Sequence, residues 1–121
     1  MMPDEPDRIR LRHMIEAAEH ALQFSAGRAQ SEFMTDKMLL FAVARAIEIV
    51  GEAASKVTPA GRARMPALPW RSMVGMRNRL AHAYFDIDAN IVWKTVHEEL
   101  PPLVTQLRAT EQKADDVPRN D

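Results

Sequence analysis

The sequence predicts an all-α fold, an up-and-down bundle of four to five helices. Apolar residues recur at three- and four-residue intervals through most of the 121 residues. No stretch alternates apolar and polar residues as a half-buried strand would. Helix stop and start residues, Gly27, Pro69 and Asp88, bracket the periodic stretches.

The first helix is expected from about Arg8 to Gly27, with Leu11, Met14, Ile15, Ala18, Leu22 and Ser25 on one stripe. A second runs from about Thr35 to Lys56 on the stripe Leu40, Val43, Ile47, Val50 and Ala54. Gly51 inside it costs about 1 kcal/mol relative to Ala, which implies close approach of another backbone. Pro59, Gly61, Pro66 and Pro69 exclude a long regular element from Thr58 to Pro69, which reads as an ordered connection. Pro69 suits the start of a third helix over Trp70 to Tyr84. Asp88 then caps a fourth, with Ile87 and Val92 at staple positions and Val96, Leu100, Leu103 and Leu107 continuing the apolar face. Pro101-Pro102 should kink or divide that helix. Residues 8–111 are expected to form the bundle, with flexible ends at 1–7 and 112–121.

The chain is long enough to bury a core unaided. Without cysteine there are no disulfides, thiolate metal sites or thiol nucleophiles, which fits a reducing cytoplasm. No apolar run approaches the ~20 residues of a bilayer span, so no membrane association is expected. Between Ala53 and Phe85 stand Lys56, Arg62, Arg64, Arg71, Arg77 and Arg79 and not one acid, leaving −7 on the rest of a chain whose net charge is −1. Such asymmetry could guide a polyanion to one face, or be an accidental sign bias of a solvated surface.

Arg77-Asn78-Arg79-Leu80-Ala81-His82-Ala83-Tyr84 crowds guanidiniums, an imidazole and a phenol into eight residues. At ~100° per residue Met73, Met76, Leu80 and Ala83 face the core, Arg77 and Tyr84 lie on the flank, and Gly75, Asn78 and His82 point outward. Asn78 stands four residues before His82 and could fix its tautomer. Arg77 and His82 diverge by ~140° on a regular helix, so either the helix ends near Ala81 or a second copy completes the site through the Gly75 side. Arg77 could instead pair with Glu48 or Glu52 on the second helix, with Arg45 joining the same polar seam. Arg79 reads as a solvated or steering charge, and Trp70 and Trp93 as core or interface anchors. His13, His20 and His97 lack the partners of a zinc site, no Gly-rich phosphate loop is present, and no metal or cofactor is expected.

Arg77, four residues, His82, one residue, Tyr84 resembles the signature of HepT-like proteins in the HEPN superfamily. Similar text surrounds it: Arg45-Ala-Ile-Glu48-Ile-Val-Gly51-Glu52-Ala53, Leu68-Pro69-Trp70-Arg71, Gly75-Met76-Arg77-Asn78, Tyr84-Phe85-Asp86-Ile87-Asp88, Ile91-Val92-Trp93 and Leu100-Pro101. The similarity runs from about Ile9 to Leu107. The resemblance implies a homodimeric HEPN-like bundle whose paired motifs form a metal-independent endoribonuclease cleft. It implies a toxin held inactive by an MntA-like nucleotidyltransferase antitoxin that, in some pairs, adenylylates the tyrosine matching Tyr84. Arg77 and His82 are then the catalytic candidates, supported by Asn78, Tyr84 and Arg79. Two other readings remain beside it: a non-catalytic nucleotide-binding or docking partner of the nucleotidyltransferase, adenylylated on Tyr84, and a purely structural helical dimer.

Overall fold

A computed structural model describes residues 4–80 and 87–116. Among the described residues there are seven α-helical segments, one π-helical turn and no strand, as the all-α expectation requires. Four helical rods make the bundle, the last built of three consecutive segments, and two further six-residue helices lie outside the rods.

Helix α1 (Glu5–Ser25) carries Pro6 and the acids Glu5 and Asp7 in its first turn. Proline there loses no helical hydrogen bond, and the acids sit at the positive end of the helix dipole. The helix therefore begins before Arg8, and Asp7, expected in a flexible end, is only 2% exposed. Gly27 terminates it with φ 72°, a conformation that favours glycine. Leu11, Met14, Ile15, Ala18 and Ala21 are buried, whereas Leu22 is only partly so.

Helix α2 (Gln30–Thr35) was not expected. Its first turn is held by the Glu32 carboxylate, which accepts from the Ala29 N–H at 2.6 Å. Arg28 bridges to Glu32 at 3.2 Å and Asp36 at 2.7 Å. This small helix drives Phe33 into the core, edge-on to Trp93 with ring centroids 5.3 Å apart.

Helix α3 (Lys37–Ser55) starts at Asp36, whose carboxylate accepts from the Leu39 N–H at 3.1 Å. It is the central rod, packing against α1 and α5. Val43, Ile47, Val50 and Ala54 are buried as expected, but Leu39 is buried in place of Leu40, which is partly exposed. Which of two adjacent leucines faces inward depends on where the neighbouring helices lie, not on spacing alone.

The connection after α3 contains helix α4 (Pro59–Arg64), N-capped by Thr58, which accepts from the Gly61 N–H at 3.0 Å. Asp7 reaches across from α1 to accept from the Thr58 N–H at 3.0 Å and hydroxyl at 2.5 Å. Arg64 bridges to Asp4 at 3.4 Å. These contacts tie the start of α1 to the segment that leads into α5 (Trp70–Leu80).

Asp88 caps α6 (Ala89–Lys94), accepting from the N–H groups of Asn90 at 2.9 Å and Ile91 at 3.3 Å. A π-helical turn, Thr95–Glu99, joins it to α7 (Leu100–Asp116). Pro101 and Pro102 have no N–H to offer the carbonyls four residues back. The chain answers by widening one turn, so that the Leu100 N–H bonds to the Thr95 carbonyl, and continues as one rod. The division expected at the prolines thus lies just before them. Helix α7 runs past Glu111 to Asp116 and buries Ala114. Arg12 binds both Glu111 oxygens at 3.1 Å, and Arg108 pairs with Glu19, so α1 and α7 are clasped at the surface.

Phe33, Met14, Ile15, Ile47, Met73, Leu80, Leu100 and Leu107 are among the most deeply buried side chains. Each large apolar group withdrawn from water stabilises the fold by about 1.5–3 kcal/mol, more than an exposed ion pair contributes. The core therefore determines the position of α5. No described helix is long and apolar enough to cross a membrane.

Candidate functional site

Helix α5 is anchored by Met73, Met76 and Leu80, all buried, which leaves Arg77 and Asn78 exposed and Gly75 partly so. The anchor on α3 is Gly51. A Cβ at that position would lie 2.7 Å from the Arg77 nitrogen, 2.9 Å from the Arg77 Cβ and 3.2 Å from the Met73 carbonyl oxygen. Only a glycine lets the two backbones come so close, as the helix-interior glycine implied. Gly75 differs: an added Cβ there meets nothing within 4 Å. His82 and Tyr84, with Ala81, Ala83, Phe85 and Asp86, lie outside the described residues, and the Arg79 side chain is likewise not described.

Beside Gly51 on α3, the Arg45 guanidinium bonds to Glu48 at 3.3 Å and Glu52 at 3.0 Å. Donating hydrogen bonds to Glu52 first and Glu48 second raises the Arg45 pKa further. The sequence offers either acid as a partner for Arg77, with Arg45 in the same seam. Among the described residues neither holds it, and Arg77 has no described side-chain partner. Arg45 lies on their own helix at i,i+3 and i,i+7, so it reaches them without any change in tertiary structure.

The basic segment divides into two groups. Arg62 donates to the Ala54 carbonyl at 3.2 Å, and its guanidinium lies 5.5 Å from the centre of the Trp70 ring. The Trp70 indole donates to the Met65 carbonyl at 3.0 Å. Arg62 thus braces α4 against the end of α3 and the N-terminus of α5, while Arg64 ties α4 to the start of α1. Lys56, Arg71 and Arg77 are exposed and remain available to a solution polyanion.

The other histidines sit elsewhere. His13 and His20 line a largely apolar groove of about 420 Å³ between α1 and α3, with Ala17, Phe24, Ala42 and Ile49. His97 stacks on Trp93 with centroids 3.6 Å apart. Trp70 and Trp93 are partly buried against the core. Among the described residues no group of His, Asp and Glu side chains could hold a metal ion.

The fold and this helix define a class: a small all-α bundle that presents an exposed guanidinium from a backbone-tight helix pair. A family model described as "Ribonuclease HepT-like" matches residues 14–110. A protein of Thermococcus cleftensis named "Probable ribonuclease HepT" is 41% identical over 93 residues, covering 77% of this chain and 84% of its own. "Putative RNase MJ1380" of Methanocaldococcus jannaschii is 40% identical over 90 residues, covering 74% of this chain and 83% of its own. "Putative RNase TTE0752" of Caldanaerobacter subterraneus subsp. tengcongensis is 32% identical over 103 residues, covering 85% and 92%. No solved structure matches. The chain belongs to the ribonuclease HepT-like family.

Proposed function

We propose that this protein is a metal-independent endoribonuclease toxin of a HepT/MntA-type toxin-antitoxin system, cutting RNA in a cleft between two copies with Arg77 and His82. The observation that carries the reading is an exposed Arg77 whose backbone is pinned against Gly51 while the nearby acids are occupied by Arg45. A guanidinium so held can grip a phosphodiester with two parallel hydrogen bonds and offset the charge that builds on phosphorus.

The chemistry needs no further group. A base removes the proton of the ribose 2′-hydroxyl, the 2′-oxygen attacks phosphorus, and the 5′-oxygen leaves with a proton from an acid. His82 from one copy and His82 from the other divide the two proton transfers, since an imidazole serves either role near neutral pH. Asn78 orients the imidazole, Tyr84 contacts phosphate or base, and Arg79 steers RNA inward. The second copy meets this one through the outer side of α5, where Gly75 leaves room for a neighbouring backbone. An MntA-like nucleotidyltransferase silences the site by attaching AMP to Tyr84, which adds bulk and negative charge where RNA enters.

The test is expression without the partner in a cytoplasmic host. Growth should arrest and RNA should be cut, and Arg77→Ala and His82→Ala should each abolish both effects. Undiminished cleavage by either variant would remove that residue from the site.

A further inference from the structure

We propose that Arg45 is a positioning residue: by holding Glu48 and Glu52 on α3 it keeps the Arg77 guanidinium out of an internal ion pair and available to phosphate. This inference rests on Arg77 being the phosphate-binding group of the ribonuclease.

The geometry makes the competing ion pair reachable. Arg77 leaves α5 directly over Gly51, with its Cβ within 2.9 Å of where a Gly51 Cβ would be. Glu48 is three residues before Gly51 and Glu52 is the next residue after it. Side chains three apart on a helix begin about 5–6 Å apart. The combined reach of an arginine and a glutamate spans that gap to Glu48, and Glu52 shares the face of Glu48 one turn further on, so the pair of acids lies within range of Arg77. What intervenes is Arg45, at 3.3 Å from Glu48 and 3.0 Å from Glu52.

The charges support the same conclusion. With Arg45 present, one positive charge stands against two negative ones, leaving a single residual negative charge near Arg77. That residue of charge favours the orientation of Arg77 without neutralising it. With Arg45 removed, both carboxylates lose the cation that holds them, and Arg77, whose base lies about one turn away, becomes a counter-ion for them. An arginine committed to two carboxylates must be pulled from them before it can bind phosphate, so every substrate encounter is opposed. Arg45 has a side chain 58% exposed, so it contributes little to the core, and its removal tests electrostatics more than folding.

The experiment measures kcat/KM on an RNA substrate for Arg45→Met, Arg45→Lys and the triple variant Arg45→Met/Glu48→Gln/Glu52→Gln, each checked for an unchanged thermal melt. Arg45→Met should lose on the order of ten-fold or more, the scale of a charge-assisted hydrogen bond diverted from the transition state. Arg45→Lys should lose less, and the triple variant should recover most of the activity, since neutral amides do not hold Arg77. Arg45→Gln replaces Arg45→Met if the latter melts early. Full activity in Arg45→Met overturns the proposal. So does failure of the triple variant to recover, which would mean that Arg45 itself touches RNA. If Arg77→Ala retains full activity, the nuclease reading of Arg77 falls first, and the two failures are thereby distinguished.

Discussion

Gly51 and Arg77 are in backbone contact across two helices: a Cβ on the glycine would stand 2.7 Å from the arginine's main-chain nitrogen. No real side chain tolerates that separation. The contact fixes the depth at which α5 enters the bundle, and with it the height at which the Arg77 side chain emerges.

Gly51→Ala should destabilise the protein even though alanine is the better helix former. The propensity gain is about 1 kcal/mol, but the new methyl meets main-chain atoms that cannot turn aside, and overpacking of that kind costs typically ~1–3 kcal/mol. A lowered thermal midpoint, with loss of RNA cleavage as α5 is pushed outward, is the expected result. An unchanged midpoint would show that the helices separate freely.

The same substitution at Gly75 should act in the opposite direction on stability. Its Cβ meets nothing within 4 Å, so Gly75→Ala gains about 0.5–1 kcal/mol from helix propensity. If a second copy packs there, sedimentation should show weaker dimerisation despite the higher melting temperature. A variant that is both more stable and equally dimeric would place the dimer contact elsewhere.

Asp7→Ala removes the acceptor for the Thr58 N–H and hydroxyl, and should cost about 1–3 kcal/mol, the penalty for stranding such donors. Gly61 packs against the same carboxylate, since a Cβ there would lie 2.2 Å from an Asp7 oxygen. Gly61→Ala should therefore be more harmful in the wild type than in the Asp7→Ala background. Additive effects in denaturant melts of the four proteins would refute the contact.

Acid should weaken the start of α3. The Leu39 N–H, and after it Arg28, hold the Asp36 pKa below its ordinary value. A depressed folded-state pKa contributes stability that is complete above the ordinary carboxylate value of about 3.9 and is lost as pH falls through the lower folded value. The stability difference between wild type and Asp36→Asn should hold steady at neutral pH and shrink in the acid range. A difference that stays constant down to pH about 2 would sink this assignment.

Features governed by near neighbours were legible in the residues. Gly27 stops α1 with a positive φ, Asp88 caps α6, and Gly51 marks a close approach. Helix α2 was not anticipated, because Ala29 is a poor cap and six residues carry too little periodicity. Arg28, Glu32 and Asp36, spaced by fours, were the signal that could have found it. Helix α1 begins earlier than its residues predict for a different reason: Asp7 belongs inside only because Thr58 waits across the bundle. At the site, the composition of the α3 seam was legible, but not the choice of cation that fills it.

From its residues alone the chain determined its long helices, most of their inward stripes and the family motif around Arg77, because propensity, capping and periodicity act within a few residues. The tertiary structure decided which leucine turns inward, where the π turn absorbs two prolines, and that Glu48 and Glu52 are held by Arg45 while Arg77 stays exposed. Those outcomes depend on distances between helices, which the order of residues encodes only through the packing of the whole core.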